Sequence, residues 1–387
     1  DTYIDCTSAA TNLWLNNIQI TDVTNAAHTS VEKSVIKFSG TANTLNLVGT
    51  NLINNGASYT KAGINVGDGI TIEDGGSGKL TVENGMREYG KTTGFDNSYG
   101  AAIGSDKGEK SQAYIVINGG QVTTTAQYGA GIGSGANGAI GSIAVNGGKV
   151  FGETTISYYT AGVSTDLGAG IGSGSSGTVE GNITITAGSV AAFCVGESSA
   201  GIIAASSGAG LGSGMNGAVN GNIIISGGTT RAEATGGYGA AIGTGSYTNS
   251  TTASVGNITI KGGAVQAQSE SAEAIGSGAL YNGLPINATE WKGQVGSVKV
   301  YGGTYSDGFD ARYHVYSRDA GDTSGAGATD DDTEENNYRT EYHPGHPLII
   351  HTGPKSNQEL HVFINNMHTS AMGLDDAGVD PLERALK

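Results

Sequence analysis

The sequence predicts an all-β chain: a right-handed parallel β-helix, or solenoid, ending in a C-terminal β-hairpin and a truncated helix start. Three observations carry this. Gly is 67 of 387 residues and Pro only 5, against ordinary Gly usage of about 7%. One short Gly-Ile-Gly phrase recurs six times. A second phrase of alternating pattern follows every copy. Self-similarity at a near-fixed period is the signature of a stacked repeat.

The first phrase reads Gly100-Ala-Ala-Ile-Gly-Ser105, and returns at 129–134, 168–173, 208–213, 239–244 and, shortened, 273–277. Its apolar anchors are Ile103, Ile132, Ile171, Leu211, Ile242 and Ile275, spaced 29, 39, 40, 31 and 33 residues apart. Stacking copy on copy puts these six side chains in one internal ladder. The flanking glycines supply positive φ at corners and close backbone approach. The second phrase includes Tyr114-Ile-Val-Ile117, Asn182-Ile-Thr-Ile185 and Ser297-Val-Lys-Val300. Its period-2 pattern turns alternate residues inward. A Gly-Gly pair follows most copies, as at Gly119-Gly120, and then a third strand such as Gln121-Val-Thr-Thr124. Each unit is therefore three short strands, and the unequal spacings place insertions in loops. The right-handed winding rests on the general preference of parallel crossovers.

The first hundred residues read as a looser version of the same coil, through Leu13-Trp-Leu15, Val35-Ile-Lys-Phe38, Leu45-Asn-Leu47 and Ile70-Thr-Ile72. Repeated Asn over 43–51 suits either a stacked Asn ladder or ordinary turns. The solenoid is expected over 1–305, with regular repeats over 100–305. Residues 306–346, with Asp330-Asp-Asp-Thr-Glu-Glu335, read as an acidic loop. It is long enough to run back along the solenoid and bring the following hairpin near Asp1. Over 347–387, Leu348–His351 and Glu359–Ile364 flank Gly353-Pro354 as a hairpin. Asp380 and Pro381 open a helix that the chain cuts short.

A formal charge of −16 argues against nucleic-acid partners, which need a basic face, and against an acidic membrane surface. No stretch reaches ~18 apolar residues. Cys6 and Cys194 read as buried free thiols. His343-Pro-Gly-His346 with Glu341 lacks the spacing of a metal motif, so no metal and no cofactor is expected. Asp106-Lys107, Glu109-Lys110 and the group Asp68, Glu73 and Asp74 read as solvated turns, and no catalytic pair of carboxylates emerges. Enzyme activity is not expected. Tyr89, Tyr99, Tyr128, Tyr158, Tyr159, Tyr238, Tyr247 and Tyr281 recur in loops, where rings can stack on sugars or between coils.

The run His351-Thr-Gly-Pro-Lys-Ser-Asn-Gln358, then Phe363-Ile-Asn-Asn-Met-His-Thr-Ser-Ala-Met-Gly-Leu374, resembles bacterial flagellin. In that family a hairpin and an Asn-Asp-Met-x-Thr-type phrase lead from the variable outer domains into the C-terminal core. The matching residues are Asn365, Asn366, Met367, Thr369, Met372 and Gly373, with Asn366 where Asp is usual and Met372 where Leu is usual. The match covers 347–387. It implies that residues 1 to about 345 are the hypervariable, surface-exposed part of a structural filament subunit. It also implies an extracellular setting on the flagellum and a homopolymer of flagellin subunits as partner, with glycans as a further possible partner. The other class of function compatible with the residues is a cell-surface adhesin or carbohydrate-binding solenoid module.

Overall fold

A computed structural model describes residues 3–8, 10–22, 33–55, 60–85, 98–155, 166–196, 208–248, 253–270, 272–279 and 293–300. It also gives the backbone of short strands at 198–199, 202–203, 304–305, 317–318, 338–339, 341–342, 348–351 and 359–362. Among these residues every regular element is a β-strand. The chain winds into nine coils, each adding one strand to each of three faces.

The first face is a nine-stranded sheet running from Ile4–Cys6 to Ile275–Gly276. Its rungs pair in parallel as Ile4↔Ile36, Ile36↔Ile64, Ile64↔Ile103, Ile103↔Ile132, Ile132↔Ile171, Ile171↔Leu211, Leu211↔Ile242 and Ile242↔Ile275. The six expected rungs are thus in one column, and three more precede them. These three lack the repeated phrase because Asp5, Lys37 and Asn65 stand where the later coils have Gly; the phrase Val35-Ile-Lys-Phe38 of the looser coils supplies the rung at Ile36.

The second face stacks Asn12, Thr44, Thr71, Val116, Ala144, Thr184, Ile224, Thr259 and Lys299 in one column. The third face stacks Leu80, Val122, Val150, Val190, Thr230, Val265 and Tyr305. In the second and third coils the strands Asn43–Asn55 and Gly69–Asn84 run round the corner between these faces, with a register shift between Leu47 and Val48. In the fourth, fifth, seventh and eighth coils that corner is the Gly-Gly pair. Its second residue has φ of +78° at Gly120, +79° at Gly148, +74° at Gly228 and +92° at Gly263.

Inward residues of all three faces merge into one core, from Cys6 and Leu15 to Val295 and Val298. Alternation delivers it: Tyr114–Ile117 buries Ile115 and Ile117 and turns Tyr114 and Val116 outward. Each strand is too short to bury a face alone, so the stacking of coils supplies the apolar burial.

The hairpin appears as Leu348–His351 antiparallel to Glu359–Val362, two residues shorter at its end than the sequence suggests. Of the acidic segment only short strands are described. Lys299 pairs in parallel with Glu341, and Val300 with Tyr342, which adds a tenth rung at the far end of the second face. A strand that continues the sheet gains ladder hydrogen bonds that a solvated return would forgo. The flagellin-like residues Asn365, Asn366, Met367, Thr369, Met372 and Gly373, and the helix start at 379–387, lie outside the described residues.

Candidate functional site

A repeated polar feature lies inside the Gly-Ile-Gly phrases. The second Gly of each phrase has φ between +140° and +154° (Gly104, Gly133, Gly172, Gly212, Gly243 and Gly276). A Cβ on Gly104 would stand 1.6 Å from the Gly133 carbonyl oxygen, and one on Gly172 1.7 Å from that of Gly212. Only Gly fits there. The carbonyl that approaches so closely has a partner, because each Gly oxygen accepts the N–H of the Ser or Thr one coil earlier. Examples are Ser134 N to Gly172 O at 3.1 Å and Thr244 N to Gly276 O at 3.0 Å.

The hydroxyl after each Gly forms a second, buried ladder. Ser105 Oγ accepts the Gly135 N–H at 3.0 Å, Ser134 Oγ that of Gly174 at 3.0 Å, and Ser173 Oγ that of Gly214 at 2.9 Å. Ser213 Oγ and Thr244 Oγ1 continue it to Gly245 and Gly278. All these hydroxyls are buried and each satisfies a backbone donor at a corner. They hold structure and face no solvent, so they offer no nucleophile.

The charged loop at 106–110 is not a solvated turn. Asp106 is buried. Its carboxylate accepts the Ala62 N–H at 2.8 Å, the Ser34 hydroxyl at 3.3 Å and the Lys61 ammonium at 2.8 Å. Glu109 accepts Asn65 Nδ2 and the Asp106 N–H, both at 2.8 Å. Residues of three successive coils are pinned together. Beside them lies a cleft of about 450 Å³ lined by Lys37, Phe38, Asn65, Asp68, Glu109 and Lys110 among others. Asp74 is exposed on the strand Gly69–Asn84 where it rounds the corner, and there the Gly78 and then the Gly76 N–H hold its carboxyl below the usual range.

The expected aromatic candidates separate into two sets. Tyr238 and Tyr247 are buried and unavailable to a sugar. Tyr99 and Tyr128 are half-buried and stack at 4.6 Å between ring centroids and 18° between planes, with Lys107 Nζ 3.7 Å from the Tyr99 centroid. Sequence reading missed a further aromatic pair on the third face. Phe151 and Phe193 meet edge to face at 5.2 Å, with the Arg231 guanidinium 5.1 Å from the Phe193 ring. Tyr89, Tyr158, Tyr159 and Tyr281 lie outside the described residues, as do His343 and His346.

Both thiols are buried and free. Burial pushes the Cys194 thiol up to about 12, which suppresses the reactive thiolate. Cys6 is raised by burial and then by Asp5. Repeated Asn does form ladders, though not mainly at 43–51. Asn43 and Asn51 clamp backbone carbonyls at corners. The exposed Asn182 Oδ1 receives the Asn222 N–H, Asn222 Oδ1 receives Asn257 Nδ2, and Asn257 Oδ1 receives the Ser297 hydroxyl. Among the described residues no group of three His, Cys, Asp or Glu side chains is placed to hold a metal. No family model, no curated protein and no solved structure matches this chain.

Proposed function

We propose that this chain is the surface-exposed body of a flagellin-type filament subunit, a scaffold for display and not a catalyst. The observation that carries the reading is the resemblance over 347–387, from His351-Thr-Gly-Pro through Asn365-Asn-Met367 to Gly373 and beyond. The paired strands Leu348–His351 and Glu359–Val362 lie where that resemblance expects a hairpin. The solenoid supports a display role in a physical way. Each coil is held by contacts to its neighbours alone, so loops between rungs vary in length, with rungs 29 to 40 residues apart after Ile103, while the ladder stays constant. In this reading the partners are further copies of the subunit, the setting is outside the cell, and assembly is driven by segments beyond residues 1–345.

The test is removal of residues 1–345 from the subunit in cells that make it. Filaments should still assemble and lose an outer layer of density in electron micrographs. A chain found on the surface of cells that carry no filament would contradict the reading.

One observation favours a second reading, a free-standing adhesin or glycan-binding module. The chain enters on the first coil and at Tyr342 occupies a rung beyond the ninth, a path that suits a spacer between two attachments. The Tyr99–Tyr128 pair is its candidate platform for a sugar ring. A glycan array in which Tyr128→Ala removes a bound signal would favour this reading, and an array with no signal would leave the scaffold.

A further inference from the structure

The last Gly-Ile-Gly rung differs from the others at one position. The second residue of the phrase is Ala in five coils (Ala101, Ala130, Ala169, Ala209 and Ala240) and Glu273 in the ninth. Glu273 is 6% exposed. Its Oε2 accepts the Ser277 N–H at 2.6 Å. In the earlier coils the same N–H bonds to the Gly carbonyl of the following coil, as Ser213 N does to Gly243 O at 3.0 Å. The position is the same as well. A Cβ built on Gly243 would meet the Gly276 oxygen at 1.8 Å, and a Cβ on Gly276 would meet Glu273 Oε2 at 1.9 Å. The carboxylate thus stands in for the carbonyl of a tenth coil. Its other oxygen, Oε1, is buried without a hydrogen-bond partner.

Among the described residues this rung is the edge of the first sheet. An edge strand offers unpaired donors and acceptors to any strand that fits. The strand best matched to it belongs to this protein. Ile4–Cys6 is the opposite edge of the same parallel sheet and carries Ile4 on the ladder column. Placed head to tail, Ile4 of a second copy continues the column after Ile275, and Asp5 continues it after Gly276. Such a contact does not close on itself, and repeats into a fibre.

We infer that Glu273 closes the first face against strand addition by a second copy of this chain. Its carboxylate fills the place that the incoming carbonyl needs. The inference does not depend on the flagellin reading.

Sedimentation of the full chain tests it. Wild type should sediment as one species over a wide concentration range. Glu273→Ala, which restores the residue of the other coils, should form concentration-dependent head-to-tail oligomers. Glu273→Gln keeps an oxygen for the Ser277 N–H and should sediment as wild type. Adding Ile4→Asp to Glu273→Ala should restore the single species. A folded Glu273→Ala variant that stays a single species, or oligomers that survive Ile4→Asp, would overturn the inference. Amide exchange in the wild-type chain decides even where the alanine variant fails to fold. The Ser277 N–H should be at least about tenfold slower than an exposed amide. Exchange at the exposed rate would show that the carboxylate does not occupy the site.

Discussion

At the residue scale, the glycine inside each rung is a steric requirement and not a preference. Gly172→Ala would set a methyl group 1.7 Å from the Gly212 oxygen, at φ +145°. The expected cost is about 3–5 kcal/mol, in the range reserved for core disruption. Gly108 has φ +70° and open space around it, so Gly108→Ala should cost only about 1–2 kcal/mol. Denaturant titration of the two variants checks the contrast, and equal losses would refute it. Glu273 makes a second claim at this scale. Burial pushes its carboxyl up to about 7 from 4.5, against a smaller lowering by the Ser277 N–H. The folded state therefore holds the proton more tightly than the unfolded chain. That contribution is complete below pH 4.5 and is lost as pH rises through about 7, on the order of 3 kcal/mol. Glu273→Gln should flatten the fall in stability across this window. An unchanged pH profile would mean the carboxyl is more hydrated than its burial implies.

At the element scale, the hydroxyl ladder makes each corner depend on its neighbour. Ser173→Ala leaves the Gly214 N–H buried without its acceptor and should cost about 1–3 kcal/mol. A loss below about 0.3 kcal/mol by thermal or chemical melting would show that the hydroxyl is dispensable. Much of this scale is legible in the sequence. Six rungs follow from the recurrence of Ile and Gly, because the close carbonyl approach admits only Gly and so prints itself on every copy. The rungs at Ile4, Ile36 and Ile64 are not legible that way. Their coils place Asp5, Lys37 and Asn65 in the glycine column, where Asn65 is used to bind Glu109. The role of Glu273 is equally hidden, since it depends on that rung being the last described in its sheet, which only stacking order reveals. Asp106 reads as surface charge in the sequence and is instead a buried pin, because its partners Ser34 and Ala62 lie 72 and 44 residues away.

At the scale of the whole molecule, the solenoid is a one-dimensional object. Residues far apart in sequence are close in space in proportion to the rungs between them, and to nothing else. This property suits a display body, since corner loops diversify without repacking a central core. It also explains why the acidic segment is hard to place from sequence: composition separates it from the repeat, but only strand pairing assigns Glu341–Tyr342 to the far end. The most direct test of the stack is a pair of spin-label distances along the second-face column. Asn12 and Lys299 are eight rungs apart, and Ala144 and Lys299 four. At about 4.8 Å per rung the backbone separations are about 38 Å and about 19 Å. Pulsed electron resonance should return distances in this two-to-one ratio, broadened by the label arms. Nearly equal distances, or a shorter one for Asn12 and Lys299, would contradict the solenoid.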